Sequence, residues 1–277
     1  MPLVLPIHLT CNVPDELIYG NIRVNSRRPN SWLTSAKAHE RIAVLCGSGP
    51  SLRDHISDIR KWQDDGTTIF ALNGAARFLP TYGIIPDYQV LIDARQETAN
   101  LIGPARVHLF ASQCHPECFE RIPQAILWHL QVENIDDYLP DEQPEHVLIG
   151  GAASVGNTAL CAVYAMGYRT MHLYGYDSSN RGDATHAFSQ PMNAGDPMAS
   201  VAFNGKDYIC SLTMKLQAER FCSLTAPAIR SLGCKLEVNG TGLLPDMYHA
   251  PRDILDQYDS DAKATIDDIE RRLKELK

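Results

Sequence analysis

The sequence predicts a doubly wound α/β domain built on a mostly parallel sheet, and three observations carry that prediction. Short apolar runs recur along the chain from Arg41 onward; helical patterns opened by serine lie between several of them; and the first run ends in a glycine-rich turn, Gly47-Ser48-Gly49-Pro50-Ser51. Strands that alternate with helices form a parallel sheet with helices on both faces, because each crossover carries a covering element.

The expected strands are IAVLC (42–46), TIFAL (68–72), YQVLID (88–93), VHLFAS (107–112), AILWHL (125–130), TMHLYG (170–175) and KLEV (235–238). They are rich in β-branched and aromatic residues and mostly apolar on both faces, as strands covered on both sides are. Helical patterns span 51–62, 154–166 and 211–232, and Ser51, Ser154 and Ser211 stand where a hydroxyl can cap the free amides of a first turn. Residues 1–40 hold several prolines, the basic NSRRPN and little periodicity, so they read as an irregular arm on the edge of a domain spanning 41–250. The tail, 251–277, places acidic residues three or four before basic ones, which suits a solvated surface helix or an oligomer helix.

A chain of 277 residues buries a full core without help from disulfides or metals. Its 33 acidic against 25 basic side chains, net −8, give no long-range attraction for nucleic acid or an anionic membrane. No window reaches the roughly 18 apolar residues of a membrane span. The N-terminus lacks a basic n-region and a cleavage site, so a cytoplasmic protein is expected. Eight cysteines scattered through apolar segments suit a reducing compartment. The CHPEC cluster (Cys114, His115, Cys118) lacks a second zinc knuckle and reads as a loop after a strand.

Ligands of open α/β sheets bind beyond the carboxyl ends of strands. At the first such end, Gly47 and Gly49 let backbone approach a ligand, Pro50 fixes the entry and Ser51 offers a hydroxyl, so the turn reads as a phosphate cradle or as plain structure. It has neither the third glycine of the dinucleotide fingerprint nor the Gly-Lys-Ser/Thr of a P-loop. The second strand ends in Asn73-Gly74, an amide able to read a base or a hydroxyl, or a simple turn. The third ends in Asp93 and Arg95, a metal ligand or base beside a phosphate partner, or an ion pair. The richest stretch, 150–188, combines small residues (Ala152, Ala153, Gly156, Ala159), a serine-capped helix and a strand ending in Gly175-Tyr176-Asp177. The polar loop that follows carries Ser178, Ser179 and His186, giving a candidate base, hydroxyls and an imidazole.

Taken in order, GSGPSL, the strand-end Asn73, PDYQVLID, SVGNTALCAVYAMGYRTMHLYGYD and VNGTGLLP resemble the family of 6-hydroxymethylpterin pyrophosphokinase-like proteins and motility accessory factors, the latter flagellin glycosyltransferases. The ordered set also looks distantly similar to bacterial sialyltransferases that use CMP-sialic acid. The resemblance covers about 41–246 and implies a Rossmann-like domain that transfers a group from an activated nucleotide. It implies that Gly47, Ser48, Gly49, Pro50 and Ser51 hold donor phosphate and ribose, that Asn73 and Gly74 meet the nucleotide, and that Ser154, Val155 and Gly156 do so from the helix side. Gly240, Thr241, Gly242 and Leu243 would line the base pocket. The chain departs from the sialyltransferases where Ser179 and His186 replace tyrosines and Ala152 an arginine, and it lacks their histidine before the long helix. The segment FNGKDYICSLTMK instead resembles the pyrophosphokinase and flagellin-modifying branch, with Lys206 as a phosphate partner.

Three functions are therefore expected in competition. A glycosyltransferase would take a nucleotide-activated sugar, such as a CMP-nonulosonate, to a hydroxyl of an unspecified acceptor, with Asp93, Asp177 or His186 as base and no obligatory metal. A pyrophosphokinase would use ATP with Mg²⁺ held by Asp93 and Asp177. A nucleotide-binding or assembly protein would keep the fold without turnover.

Overall fold

The computed structural model describes residues 13–151, 154–188 and 195–258. Six consecutive strands, β1 (Ile42–Cys46), β2 (Thr68–Leu72), β3 (Tyr88–Leu91), β4 (Val107–Ala111), β5 (Ile126–Gln131) and β6 (Leu148–Gly150), are laid side by side. The chain then returns to place β7 (Thr170–Tyr174) on the free side of β1; β8 (Met198–Phe203) and β9 (Lys206–Ser211) form a separate antiparallel hairpin. With β10 (Lys235–Val238) outside β7, the order is β10-β7-β1-β2-β3-β4-β5-β6, and every pair in this eight-stranded sheet is parallel.

All seven expected strands form, and the Rossmann-like α/β class holds. The helices are α1 (Asp15–Asn25), α2 (Ile56–Asp64), α3 (Ala75–Phe78), α4 (Pro116–Arg121), α5 (Val155–Ala165), α6 (Leu212–Arg220), α7 (Ala226–Ser231) and α8 (Leu243–His249). The expected helix over 211–232 is one run whose middle, Phe221–Thr225, is a π-turn, and the one over 51–62 opens as a 3₁₀ turn, Pro50–His55. Residues 252–258 are helical, whereas Ala152, Ala153 and 259–277, on which other expectations fell, lie outside the described residues.

Alternation along the strands sends side chains into two layers. Val44, Cys46, Ile69 and Ala71 pack with Leu52, Ile59 and Leu79 on one face. Ala43, Leu45, Phe70 and Leu72 pack with Ala159, Leu160 and Val163 of α5 on the other. Full burial of an aliphatic side chain contributes roughly 1.5–3 kcal/mol, so both faces hold the sheet and leave its rim to function.

The arm expected to be irregular carries α1. Its buried stripe is Ile18, Asn21, Ile22 and Asn25, at helical spacing, and the two asparagines are the reason the pattern is hidden from a search for apolar periodicity. Asn21 Nδ2 donates to the carbonyls of Ala94 and Gln113 at 3.1 and 3.0 Å, and Asn25 Nδ2 to those of Ser112 and Cys114 at 2.9 and 2.7 Å. α1 thus closes the carboxyl rim beyond β3 and β4.

Candidate functional site

The chain leaves β1 for β2 on one side, and β7 pairs with β1 on the other, so the strand order reverses at β1. Loops diverge there and leave a crevice at the carboxyl ends, where ligands of such sheets bind. An open cleft of about 1010 Å³, counted with its solvent-filled mouth, occupies this point. Gly47, Ser48 and Gly49 after β1, Asn73 after β2 and residues 175–179 after β7 form one wall. Ser154, Val155, Gly156 and Asn157 of α5 and Ser211, Thr213, Met214 and Gln217 at α6 form the opposite one, with Thr185, His186, Asp196, Met198 and Leu244 completing the lining.

The glycines of the first turn serve the packing of two loops against each other. A Cβ on Gly49 would stand 2.6 Å from the carboxyl carbon of Asp177, and one on Gly47 would collide with the carbonyl of Gly175. The turn's amides are also engaged: Gly47 N donates to Tyr174 O at 2.8 Å, Gly49 N to Gly175 O at 2.9 Å and Ser51 N to Asp177 Oδ2 at 2.6 Å. Of the expected cradle, Gly47, Ser48 and Gly49 line the cleft. The carboxylate of Asp177 takes the amide of Ser51, and Pro50 and Ser51 are buried rather than lining the cleft. Ser51 donates its hydroxyl to Asp177 and caps no helix. Asp177 is 3% exposed, and burial pushes its carboxyl up to about 6 against the downward pull of the Ser51 bonds.

Other expected site residues fall outside the cleft lining. Asp93 and Arg95 form an ion pair at 2.6 Å, with the Arg95 backbone amide also donating to Asp93 at 2.9 Å; the guanidinium's own hydrogen bonds to Asp93 raise its pKa. Lys206 sits exposed on the β8–β9 hairpin and pairs with Asp246 at 2.7 Å. Gly74 is buried at the start of α3. Gly240, Thr241, Gly242 and Leu243 stand behind the β7 loop. Gly240 packs against Ser51, and a Cβ on Gly242 would lie 2.6 Å from the Asp177 carbonyl. Thr241 accepts from Arg181 at 3.0 Å, and Leu243 N donates to Ser179 Oγ at 3.2 Å. Cys114 and Cys118 are buried, and the His115 ring accepts from Glu117 N at 3.3 Å to cap α4. Among the described residues no three histidine, cysteine or acidic side chains are grouped to hold a metal ion.

What the cleft does gather is hydroxyls and amides. Ser154 Oγ accepts from Asn157 N, and Ser211 Oγ from Met214 N, both at 3.2 Å, as N-caps of α5 and α6. Ser179 Oγ accepts from Leu243 N. A serine oxygen held as acceptor keeps its own O–H to donate, so the three serines can present donors to a ligand. Two non-glycine residues of the lining, Asn73 and Ser178, hold left-handed backbone (φ 49° and 50°), a conformation concentrated at ligand sites. His186 contacts Thr185 Oγ1 through Nδ1 at 3.0 Å, and burial lowers its pKa, leaving the imidazole neutral at pH 7. Asp196, Met198, Thr213 and Gln217 were absent from the sequence reading. The Asn204-Gly205 hairpin signal was the one pointer to the elements that carry several of them.

The family model of 6-hydroxymethylpterin diphosphokinase MptE-like proteins matches residues 18–183, more than half of the chain. The chain belongs to the MptE-like family. The match runs from within α1 through the Asp177 loop, and so includes the switch point. No curated protein matches the chain. Among solved structures, a MAf glycosyltransferase from Magnetospirillum magneticum AMB-1 is similar at 20% identity and a TM-score of 0.62, over 82% of this chain and 37% of that one. The chain therefore spans little more than a third of that protein, and the likeness is one of fold. The sialyltransferase CstII from Campylobacter jejuni, described in complex with a substrate analogue, cytidine-5'-monophosphate, matches at 16% identity and a TM-score of 0.38, over 76% of this chain and 87% of that one. No helix among the described residues is long and apolar enough to cross a membrane.

Proposed function

We propose that this MptE-like chain is a transferase that moves a glycosyl group from a nucleotide bearing one phosphate, of the CMP-nonulosonate class, to a hydroxyl acceptor. One observation carries the reading: the described lining of the switch-point cleft holds neither lysine nor arginine, and its polar side chains are hydroxyls, amides, His186 and the carboxylates Asp177 and Asp196. Its positive potential comes from the N-termini of α5 and α6, each equivalent to roughly half an elementary charge. Together they offset about one elementary charge, that of the phosphodiester, and leave the nonulosonate carboxylate to the hydroxyl and amide donors. At about 6 Å and an effective dielectric of about 20, each like-charge pair costs roughly 3 kcal/mol. A triphosphate facing two carboxylates therefore enters only with counter-ions.

In the transfer, the acceptor oxygen bonds to the anomeric carbon as the bond from that carbon to the phosphate oxygen breaks, and the electron pair leaves on the nucleotide. Neutral His186 takes the acceptor proton, and the serine hydroxyls donate to the departing phosphate. Asp177 holds the loop and Asp93 its ion pair, so neither is assigned as base.

A second reading, diphosphoryl transfer from ATP, is favoured by the description of the matching family. It requires Mg²⁺ to neutralise the phosphates, and Asp196 is the lining carboxylate that could help hold it. A thermal-shift panel of CMP, CDP, UDP, GDP and ATP, with and without Mg²⁺, separates the two, since a bound ligand raises the midpoint by mass action. A shift with CMP that needs no metal is expected. A shift with ATP and Mg²⁺ alone would overturn the glycosyl reading in favour of the second, and no response to any nucleotide would sink both.

A further inference from the structure

Among the described residues of the cleft lining, Asn73 is the one whose side chain holds a buried acceptor without a partner: its Oδ1 is enclosed and makes no hydrogen bond. It does so from left-handed backbone, φ 49°. What fixes that conformation lies behind it, on β3. Gln89 is fully buried and forms three bonds: its amide nitrogen, Nε2, donates to Asn73 O at 2.9 Å and to Leu101 O at 2.8 Å, while its Oε1 accepts from Gly103 N at 3.2 Å.

The two carbonyls at the nitrogen and the N–H at the oxygen define the orientation of the Gln89 amide. Asn73 N donates to Val90 O at 3.1 Å, so the peptide groups on both sides of the strained residue are bonded to β3. The loop that Gln89 reaches is itself pressed onto α3, the helix that follows Asn73. A Cβ on Gly103 would lie 2.7 Å from Arg77 N, His108 Nε2 contacts Gly103 O at 3.1 Å, and Arg77 donates to Asn100 O at 2.6 Å.

We propose that Gln89 is a positioning residue that clamps Asn73 in the left-handed conformation, which fixes where Asn73 stands in the wall of the cleft for its contact with the bound ligand. Under the function proposed above, on which the ligand half of this inference rests, that contact is with the nucleoside. Gln89 touches no ligand. Without its amide, the left-handed backbone, which costs on the order of 1 kcal/mol or more, loses one of its two bonds to β3, and Asn73 relaxes to negative φ.

The first test needs no ligand. A crystal structure of the full chain carrying Gln89→Met, which keeps the shape and removes all three bonds, is expected to show Asn73 at negative φ. If that variant does not fold, Gln89→Leu removes the same three bonds with a smaller apolar side chain. Asn73 unchanged near 49° in the folded variant would overturn the proposal. The second test is a binding cycle with CMP by calorimetry on wild type, Asn73→Ala, Gln89→Met and the double variant. Each single change is expected to weaken binding about tenfold, the weight of one hydrogen bond, and the double change about tenfold as well, because one acts through the other. A roughly hundredfold, additive loss, or a Gln89→Met protein that binds as wild type, would overturn the coupling. Wild type that fails to bind CMP would refute the donor assignment alone, since the crystallographic result stands without it.

Discussion

Replacing Asp177 by asparagine is expected to stabilise the protein above neutral pH and to alter how its stability depends on pH. The carboxyl is 3% exposed and is pushed from 3.8 up to about 6. A group whose pKa is higher in the folded than in the unfolded state contributes stability below the unfolded value and loses it as pH rises through the folded one. At about 1.4 kcal/mol per unit, the ionised Asp177 therefore costs about 3 kcal/mol above pH 7, with roughly half of that already present at pH 5. An asparagine keeps an acceptor for Ser51 N, and the Ser51 hydroxyl can turn to accept from its amide, so the substitution removes the charge and retains the cap. His129 acts in the opposite sense in wild type. Buried with both ring nitrogens unpartnered, it is held down to about 3, so its contribution is present above pH 6.5 and is lost as pH falls. Because the two limbs overlap, the informative quantity is the difference between variant and wild type. Urea denaturation at pH 4, 5, 6 and 7.5 should give a difference near zero at pH 4 that rises to about 3 kcal/mol in favour of the variant. Parallel pH profiles, or a variant less stable than wild type at pH 7.5, would refute the assignment of Asp177 as a buried loop carboxylate.

Gly49→Val should lower stability by about 3 kcal/mol or more, because its side chain meets the Asp177 carboxyl and the Gly175 carbonyl within 2.7 Å; a midpoint of thermal unfolding unchanged from wild type would show that the two loops can part. Asn25→Ala leaves the carbonyls of Ser112 and Cys114 without their donor and should cost about 2–4 kcal/mol in chemical denaturation; a loss below 0.5 kcal/mol would mean that water replaces the side chain. With the nucleotide panel and the Asn73–Gln89 cycle, these tests address the cleft from the fold, the ligand and the positioning network separately.

The sheet was legible in the chain because parallel strands covered on both faces are mostly apolar, as IAVLC and TIFAL of β1 and β2 are, while the alternating KLEV marks the edge strand β10. Elements that depart from that chemistry were hidden. β6 has three residues, the hairpin strands are largely exposed, and the buried stripe of α1 contains two asparagines. The same division runs through the site. Sequence alone identified the strand ends where a ligand should bind and the serines at the helix starts, since both follow from local patterns of glycine, serine and apolar residues.

Which strand ends meet was decided by the placement of β7 against β1. That pairing turned the glycine turn into a packing surface for Asp177, whose cleft Asp196, Thr213 and Gln217 from the second half of the chain line together with Asn73. Strand order depends on contacts between segments more than a hundred residues apart, such as Ser51 with Asp177. A local sequence pattern holds no record of them.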